Sequence, residues 1–248
     1  MEQNTNLATT PITSMNKIFC LGDGFAHGHI WPEWPQILQA LLPLHKIIPI
    51  TGIGAGNEFL ISGLLNQDIS NSTVIFQWAY PNRFDKLLQD DQWQDIIKND
   101  PVYFFNVVEQ DGYKWWLSSA SVMSEVDRYH KFYVQRTQAQ LRFANQQKLI
   151  DTYAAHYNCN YIKLSTSEQE IYSHQMRFAD VRGNEVQPSP IVHYCYIDEV
   201  ILPKLNLAVD ADRKKHLERL ITNNNWIPFD PDREAIWTNM VSEINSNL

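Results

Sequence analysis

The sequence lacks the features that mark membrane-spanning, secreted and nucleic-acid-binding proteins. No apolar run approaches the roughly 20 residues that a bilayer-spanning helix requires, and residues 1–15 have neither the basic start nor the apolar stretch of a signal peptide. Lys and Arg number 20 against 28 Asp and Glu, which gives a net charge of -8. Because general binding to nucleic acid or anionic lipid needs a basic surface, we expect neither a nucleic-acid nor a membrane partner.

Cysteine is also scarce. Cys20, Cys159 and Cys195 are odd in number and widely spaced, so they predict neither a disulfide framework nor a set of metal ligands. Cys20 lies within an apolar run and Cys159 just before another, which favours buried thiols. Unpaired thiols fit a reducing compartment, and we therefore expect a cytoplasmic location. We also expect no cofactor.

What the sequence does contain is an alternation of apolar runs and amphipathic segments. Hydrophobic residues make up 44% of the 248 residues, which is enough for a full globular core. The run that starts at Lys17 and the runs 45–50, 73–78 and 160–164 predict strands, with helices between them. Run 73–78 has almost no polar face and predicts a central strand, whereas Pro49 favours an edge position. This order predicts an α/β fold, a three-layer α/β/α sandwich with a parallel sheet.

The alternation predicts an α/β domain over residues 16–205. Two segments flank this domain, and one interrupts it. Residues 1–15 predict a flexible N-terminal arm, and residues 206–248 predict a C-terminal helical extension. Residues 85–135 are first acidic and then strongly aromatic, and we interpret them as a mostly helical insertion over the carboxyl edge of the sheet. Its aromatic centre, residues 113–117, could be a satellite core, a ligand-facing lid or a partner surface. A core is favoured because aromatic side chains bury large areas.

The glycine turn after the first strand begins a candidate site. In residues 17–28 the apolar run breaks at Gly22-Asp23-Gly24, and Gly28 follows. Ligands of open α/β sheets bind at the carboxyl ends of the strands, so Asp23 and Gly24 are expected in the site. This stretch resembles the first block of the SGNH (GDSL) hydrolases, esterases and lipases with a flavodoxin-like fold.

Two further blocks are similar to those of the same family. Residues 52–57 contain three glycines and resemble its second block, in which Gly54 would supply an oxyanion-hole N–H. The plainer interpretation is a turn that needs glycine for a positive φ, and the spacing does not fit a dinucleotide-binding motif. Residues 78–85 resemble the third block, in which Asn82 would be the oxyanion-hole asparagine or, alternatively, form an Asx turn. Phage-encoded members often carry a run similar to this third block.

The fourth block is where the chain departs from the family. Residues 184–193 are similar to the block that carries the catalytic aspartate and histidine. In the register set by Pro188, the aspartate falls on Asn184 and the histidine on Gln187, and in the first block the serine nucleophile falls on Gly24. Glutamine cannot serve as a base near neutral pH, and asparagine brings no charge to stabilise an imidazolium. The resemblance therefore implies an oxyanion hole without an intact catalytic triad.

Other polar residues could line or rescue the site. Asp23, His27 and His193 are candidates for lining it. His27 with Asp23 could activate a water molecule, or both could bind a metal ion together with His29. Histidines closely spaced in a loop are usually ordinary polar residues, and two ligands do not make a closed site, so we predict no metal.

Three functions remain open. The first is a catalytically degenerate SGNH hydrolase-like protein with a binding or structural role, whose cleft takes a small oxyanion, acyl or carbohydrate ligand. The second is an active SGNH esterase or acetyl-ester hydrolase whose serine has been replaced or whose motif register differs. The third is an assembly component that binds a protein partner or oligomerises through the aromatic insertion and the C-terminal helices. The first is favoured, because the substitutions fall on the reacting residues while Gly54 and Asn82 remain.

Overall fold

The computed structural model describes residues 16–22, 32–52, 54–81, 83, 85–89, 107–117, 136–165, 179–182, 185–223 and 232–247. Its helices and strands follow in the order β1 (Lys17–Gly22), α1 (Trp34–Leu41), β2 (Lys46–Thr51), α2 (Asn57–Leu65), β3 (Thr73–Trp78), β4 (Asp85–Leu88), β5 (Val107–Gln110), β6 (Tyr113–Leu117), α3 (Arg136–His156), β7 (Asn160–Ser165), β8 (Ala179–Arg182), β9 (Glu185–Pro188), α4 (Pro190–Tyr196), α5 (Leu202–Leu205), α6 (Ala211–Asn223) and α7 (Arg233–Asn247). A π-helical turn, Ile197–Ile201, joins α4 to α5.

The centre of the molecule is a four-stranded parallel sheet with the strand order β2-β1-β3-β7. The two inner strands, β1 and β3, are buried at almost every position, which explains why each reads as a continuous apolar run. Strand β2 lies at one edge, where the missing N–H of Pro49 costs no ladder hydrogen bond. The predicted α/β class, the parallel sheet, the central position of run 73–78 and the edge position of run 45–50 are confirmed.

Helices cover both faces of this sheet. Side chains of a strand alternate between faces, and Cys20 and Ile75 pack on one face with buried residues of α1 and of α4 to α7. Phe19 and Phe76 pack on the opposite face with α2 and with Ile150 of α3. The sheet therefore separates two hydrophobic clusters, an arrangement compatible with a three-layer sandwich.

The insertion at residues 85–135 differs from the prediction. Its described residues form a second, antiparallel sheet with the order β4-β6-β5, so the prediction of mostly helical structure is wrong for them. The reason is a period of two along β6: Tyr113 is exposed, whereas Trp115 and Leu117 are buried in the α2 side of the core. The rest of the insertion lies outside the described residues.

A two-residue turn connects β5 to β6, and it explains why these strands pair. Asp111 and Gly112 have φ values of 53° and 78°, and positive φ at both positions defines the tight hairpin turn for which the Asp-Gly dipeptide is a strong signal. The Asp-Gly dipeptide is a local feature that the predicted helical insertion does not explain. Strands β8 and β9 form a second antiparallel pair.

The C-terminal segment is helical, and it belongs to the main core. Leu217 and Ile221 of α6 and Trp237 and Ile244 of α7 are buried in the cluster on the α1 side of the sheet. Within the described ranges, no helix combines the length and the apolar character needed to cross a bilayer. All three cysteines are free thiols, but only Cys20 is fully buried.

Replacement of Gly112 by alanine tests the β5–β6 turn. No atom lies within 4 Å of the position that a Cβ would take, so the substitution adds backbone strain and no clash. We expect Gly112→Ala to lower the free energy of unfolding by about 1 kcal/mol, measured by urea denaturation. Gly112→Asn is the matched control, since asparagine tolerates this conformation better. Equal losses in both variants would contradict the assignment of the effect to the left-handed backbone.

Candidate functional site

The strand order brings three of the sequence blocks to one edge of the sheet. Strands β1, β2 and β3 are parallel neighbours, with Gly22 in register with Thr51 and Leu21 in register with Phe76. Their carboxyl ends therefore lie at one edge, and the segments that follow the three strands leave from it. The chain places β2 on one side of β1 and β3 on the other, and open α/β sheets bind ligands at the point where the strand order reverses in this way. This edge is the candidate site.

Few of the predicted site residues are among those that the structure describes. Gly54 and His193 are described in full, and Gln187 is described as part of strand β9. The remaining ones lie outside the described residues: Asp23, Gly24, His27, His29, Asn82 and Asn184. Their assigned roles stay predictions.

Gly54 lies in the turn between β2 and α2 with a φ of 73°. A positive φ is by itself a reason for glycine at this position. The conformation is therefore consistent with a simple turn and with an oxyanion-hole glycine. The N–H groups that follow it are already used, since Ala55 donates to the carbonyl of Gly52 at 3.0 Å and Gly56 donates to Asp85 at 2.8 Å. The role of the Gly54 N–H as an oxyanion-hole donor stays a prediction.

Helix α2, which follows this turn, is capped by a carboxylate from another strand. The N-cap residue, Gly56, offers no side-chain cap, and Asp85 at the start of β4 accepts hydrogen bonds from the N–H groups of Gly56 and Phe59, both at 2.8 Å. A Cβ on Gly56 would lie 2.9 Å from the Asp85 carboxylate, so the absence of a side chain permits this approach. A negative charge at a helix N-terminus also interacts favourably with the helix dipole.

The environment of Asp85 shifts its ionisation. Burial raises the pKa of Asp85 to about 7, although the two N–H donors act in the opposite direction. The nearby Glu58 adds to the rise, and Arg83 opposes it. Between the ordinary pKa of an aspartate and pH 7, the folded protein therefore binds more protons at this group than the unfolded chain does.

Asn57 attaches the same end of α2 to the exit of β3. Its side-chain Nδ2 donates to the carbonyl of Ala79 at 3.3 Å, and its Oδ1 accepts from the N–H of Ala79 at 3.0 Å. The Asn57 side chain is buried, with an exposed fraction of 2%, so both backbone groups of Ala79 depend on it for a partner. The contact attaches the first turn of α2 to the residue that follows β3.

Polar side chains are also buried on the α1 side of this edge. Gln77 of β3 is fully buried and accepts a hydrogen bond from Trp34 Nε1 at 3.3 Å. His193 lies in α4, which packs against α1, and burial lowers its pKa to about 3. His193 is therefore neutral at physiological pH, and its role in lining the site stays a prediction.

The residues that organise this site differ from those that the sequence singled out. Asn57 is the first residue of an apolar helix, but its partner is 22 residues away at Ala79. No local sequence pattern marks Asp85 as the cap of α2, because the N–H groups from which it accepts hydrogen bonds lie 26 and 29 residues earlier in the chain. No group of three or more His, Cys, Asp or Glu in the described ranges could hold a metal ion.

Comparison with known proteins adds no relative: no protein-family model, no curated protein and no solved structure matches this chain.

Removal of the Asn57 amide tests its role as the link between α2 and β3. We expect Asn57→Ala to lower the free energy of unfolding by about 2 kcal/mol, because two buried backbone groups of Ala79 lose their partner. Urea denaturation measures the loss. Asn66→Ala is the control, since that exposed amide at the other end of α2 bonds only Asp111 at the surface, and we expect a loss below about 0.5 kcal/mol. A similar loss in both variants would show that burial of the Asn57 contact is unimportant.

The pKa of Asp85 predicts a pH dependence of stability. Because its pKa is raised to about 7 in the folded state, the folded protein holds the extra proton, and this group lowers the free energy of unfolding as pH rises from about 4 to 7. Asp85→Asn removes the titration, so we expect the stability of the variant to fall less steeply over that range than that of the parent. Urea denaturation at several pH values measures both slopes. Parallel slopes would show that Asp85 does not titrate there.

Proposed function

We propose that this protein is a catalytically degenerate relative of the SGNH hydrolases that binds a small oxyanion, acyl or carbohydrate ligand without hydrolysing it. The observation that carries the proposal is the parallel order β2-β1-β3-β7. This order places the exits of β1, β2 and β3 side by side, and these exits carry the three blocks that resemble the family. The flavodoxin-like SGNH fold is part of the proposal, supported by the same order.

The chemistry of the site favours binding over turnover. A serine esterase needs a nucleophile, a base and a carboxylate that orients the base, and the matching positions hold Gly24, Gln187 and Asn184. Loss of such a triad costs about 10⁶-fold in turnover. The hydrogen-bond donors of an oxyanion hole, by contrast, would be the backbone N–H groups of Gly24 and Gly54 and the side chain of Asn82.

The two alternatives have less support. An active esterase would need a histidine and a carboxylate to converge near Gly24. An assembly role through the aromatic residues has a reduced surface, since Trp115 and Trp237 are buried and only Tyr113 of these three is well exposed. A cytoplasmic location also remains a proposal, and the three free thiols are compatible with it.

Hydrolysis of p-nitrophenyl acetate by the parent and by a restored variant tests the proposal. The restored variant carries Gly24→Ser, Asn184→Asp and Gln187→His. We expect no turnover by the parent and measurable turnover by the restored variant. Adding Asn82→Ala to the restored variant should lower kcat by about 10²-fold or more, because one oxyanion donor is lost. Turnover by the parent that Asn82→Ala abolishes would instead support the active esterase.

A binding measurement makes the test decisive if the restored variant is also inert. Acetate is added to the parent while the backbone amide signals are followed by NMR. We expect the Gly54 signal to shift and the shift to be lost in Asn82→Ala, with the signal of Leu217, in the cluster on the opposite face of the sheet, as the control. Absence of both turnover and a Gly54 shift would show that the proposed function is wrong.

A further inference from the structure

The side chain of Arg142 reaches from α3 to the turn that follows β3. Its Nη2 donates hydrogen bonds to the carbonyl of Pro81 at 3.1 Å and to the carbonyl of Arg83 at 2.8 Å. The same turn is closed by a hydrogen bond from the N–H of Arg83 to the carbonyl of Tyr80 at 3.0 Å. The two carbonyls that Arg142 holds belong to the residues on either side of Asn82 in the chain.

The guanidinium of Arg142 is oriented by a carboxylate on α2. Arg142 Nε lies 3.3 Å from Oε1 of Glu58, and the two side chains are only 34% and 27% exposed. Gln146, one turn along α3, donates to the same oxygen at 3.1 Å. Glu58 lies four residues after Gly54, in the first turn of α2. Arg142 is therefore hydrogen-bonded to the turn that carries Asn82 and ion-paired with the helix that begins beside Gly54.

An arginine suits this position better than a lysine. The guanidinium is planar and carries five donors in a fixed fork, so one nitrogen can donate to two carbonyls while Nε faces a carboxylate. A lysine ammonium is a compact point charge on a flexible stem and does not reproduce this geometry. The contacts are also charge-assisted, which strengthens them relative to neutral hydrogen bonds.

We propose that Arg142, oriented by Glu58, is a positioning residue that fixes the turn carrying Asn82 relative to the glycine turn carrying Gly54. Both turns leave the carboxyl edge of the sheet, and each would supply one donor to the oxyanion hole. The consequence for ligand chemistry rests on the proposed function. The restraint of the turn itself rests only on the contacts of Arg142.

Amide hydrogen exchange in Arg142→Lys tests whether Arg142 restrains the turn that follows β3. The substitution keeps the positive charge and removes the planar guanidinium. We expect the N–H of Arg83 to exchange at least about tenfold faster, because the turn opens locally more often. The N–H of Ile150, buried in the middle of α3, should be unchanged. Lys148→Met is the matched control, since this exposed cation lies on the same helix away from the turn. Glu58→Gln should give a smaller effect of the same kind.

The consequence for the site is tested in the restored variant. We expect Arg142→Lys to lower kcat for p-nitrophenyl acetate by about tenfold or more while KM changes less than about twofold, because Asn82 would be misplaced at the transition state. Lys148→Met should leave both constants unchanged. A purely structural role for Arg142 would lower stability without this separation of kcat from KM.

The outcomes distinguish a failure of the positioning role of Arg142 from a failure of the proposed function. Unchanged exchange at Arg83, or exchange that rises equally at Arg83 and Ile150, overturns the positioning role whatever the activity. An active restored variant whose kcat does not respond to Arg142→Lys also overturns it and leaves the proposed function standing. An inert restored variant with faster exchange only at Arg83 supports the restraint and counts against the proposed function.

Discussion

The buried amide of Asn57 is the contact on which the geometry of the candidate site depends. Helix α2 begins at this residue, and its side chain occupies both backbone groups of Ala79 at the exit of β3. A buried backbone group without a partner is costly, so α2 cannot move away from β3 without a substantial loss of stability. This pair of hydrogen bonds therefore attaches the start of α2 to the exit of β3.

The neighbours of Asn57 extend the same restraint to other parts of the fold. The N–H groups of Gly56 and Phe59 bind Asp85 of the second sheet, and Glu58 contacts Arg142 of α3. The first turn of α2 is thus bonded to β3, β4 and α3. Asp85 accepts from two of the N–H groups at the N-terminus of α2, so a carboxylate of the protein itself partly occupies this helix end.

The fold was more predictable than the site. Strands β1, β3 and β7 are visible in the sequence because a strand buried in a parallel sheet is a short, continuous apolar run. The second sheet differs from the predicted helical insertion, although Asp111-Gly112 and the alternation of Tyr113, Trp115 and Leu117 are local features typical of a hairpin. An abundance of aromatic residues does not by itself distinguish a helix from a strand.

The sequence by itself determined the parallel α/β class, because strands buried in a parallel sheet are short apolar runs and amphipathic segments lie between them. Only the tertiary structure decided the strand order β2-β1-β3-β7 and the partners of Asp85 and Arg142. The carbonyls held by Arg142 lie 59 and 61 residues away in the chain, and hydrogen bonds over such separations depend on how strands and helices are placed, which no local pattern encodes.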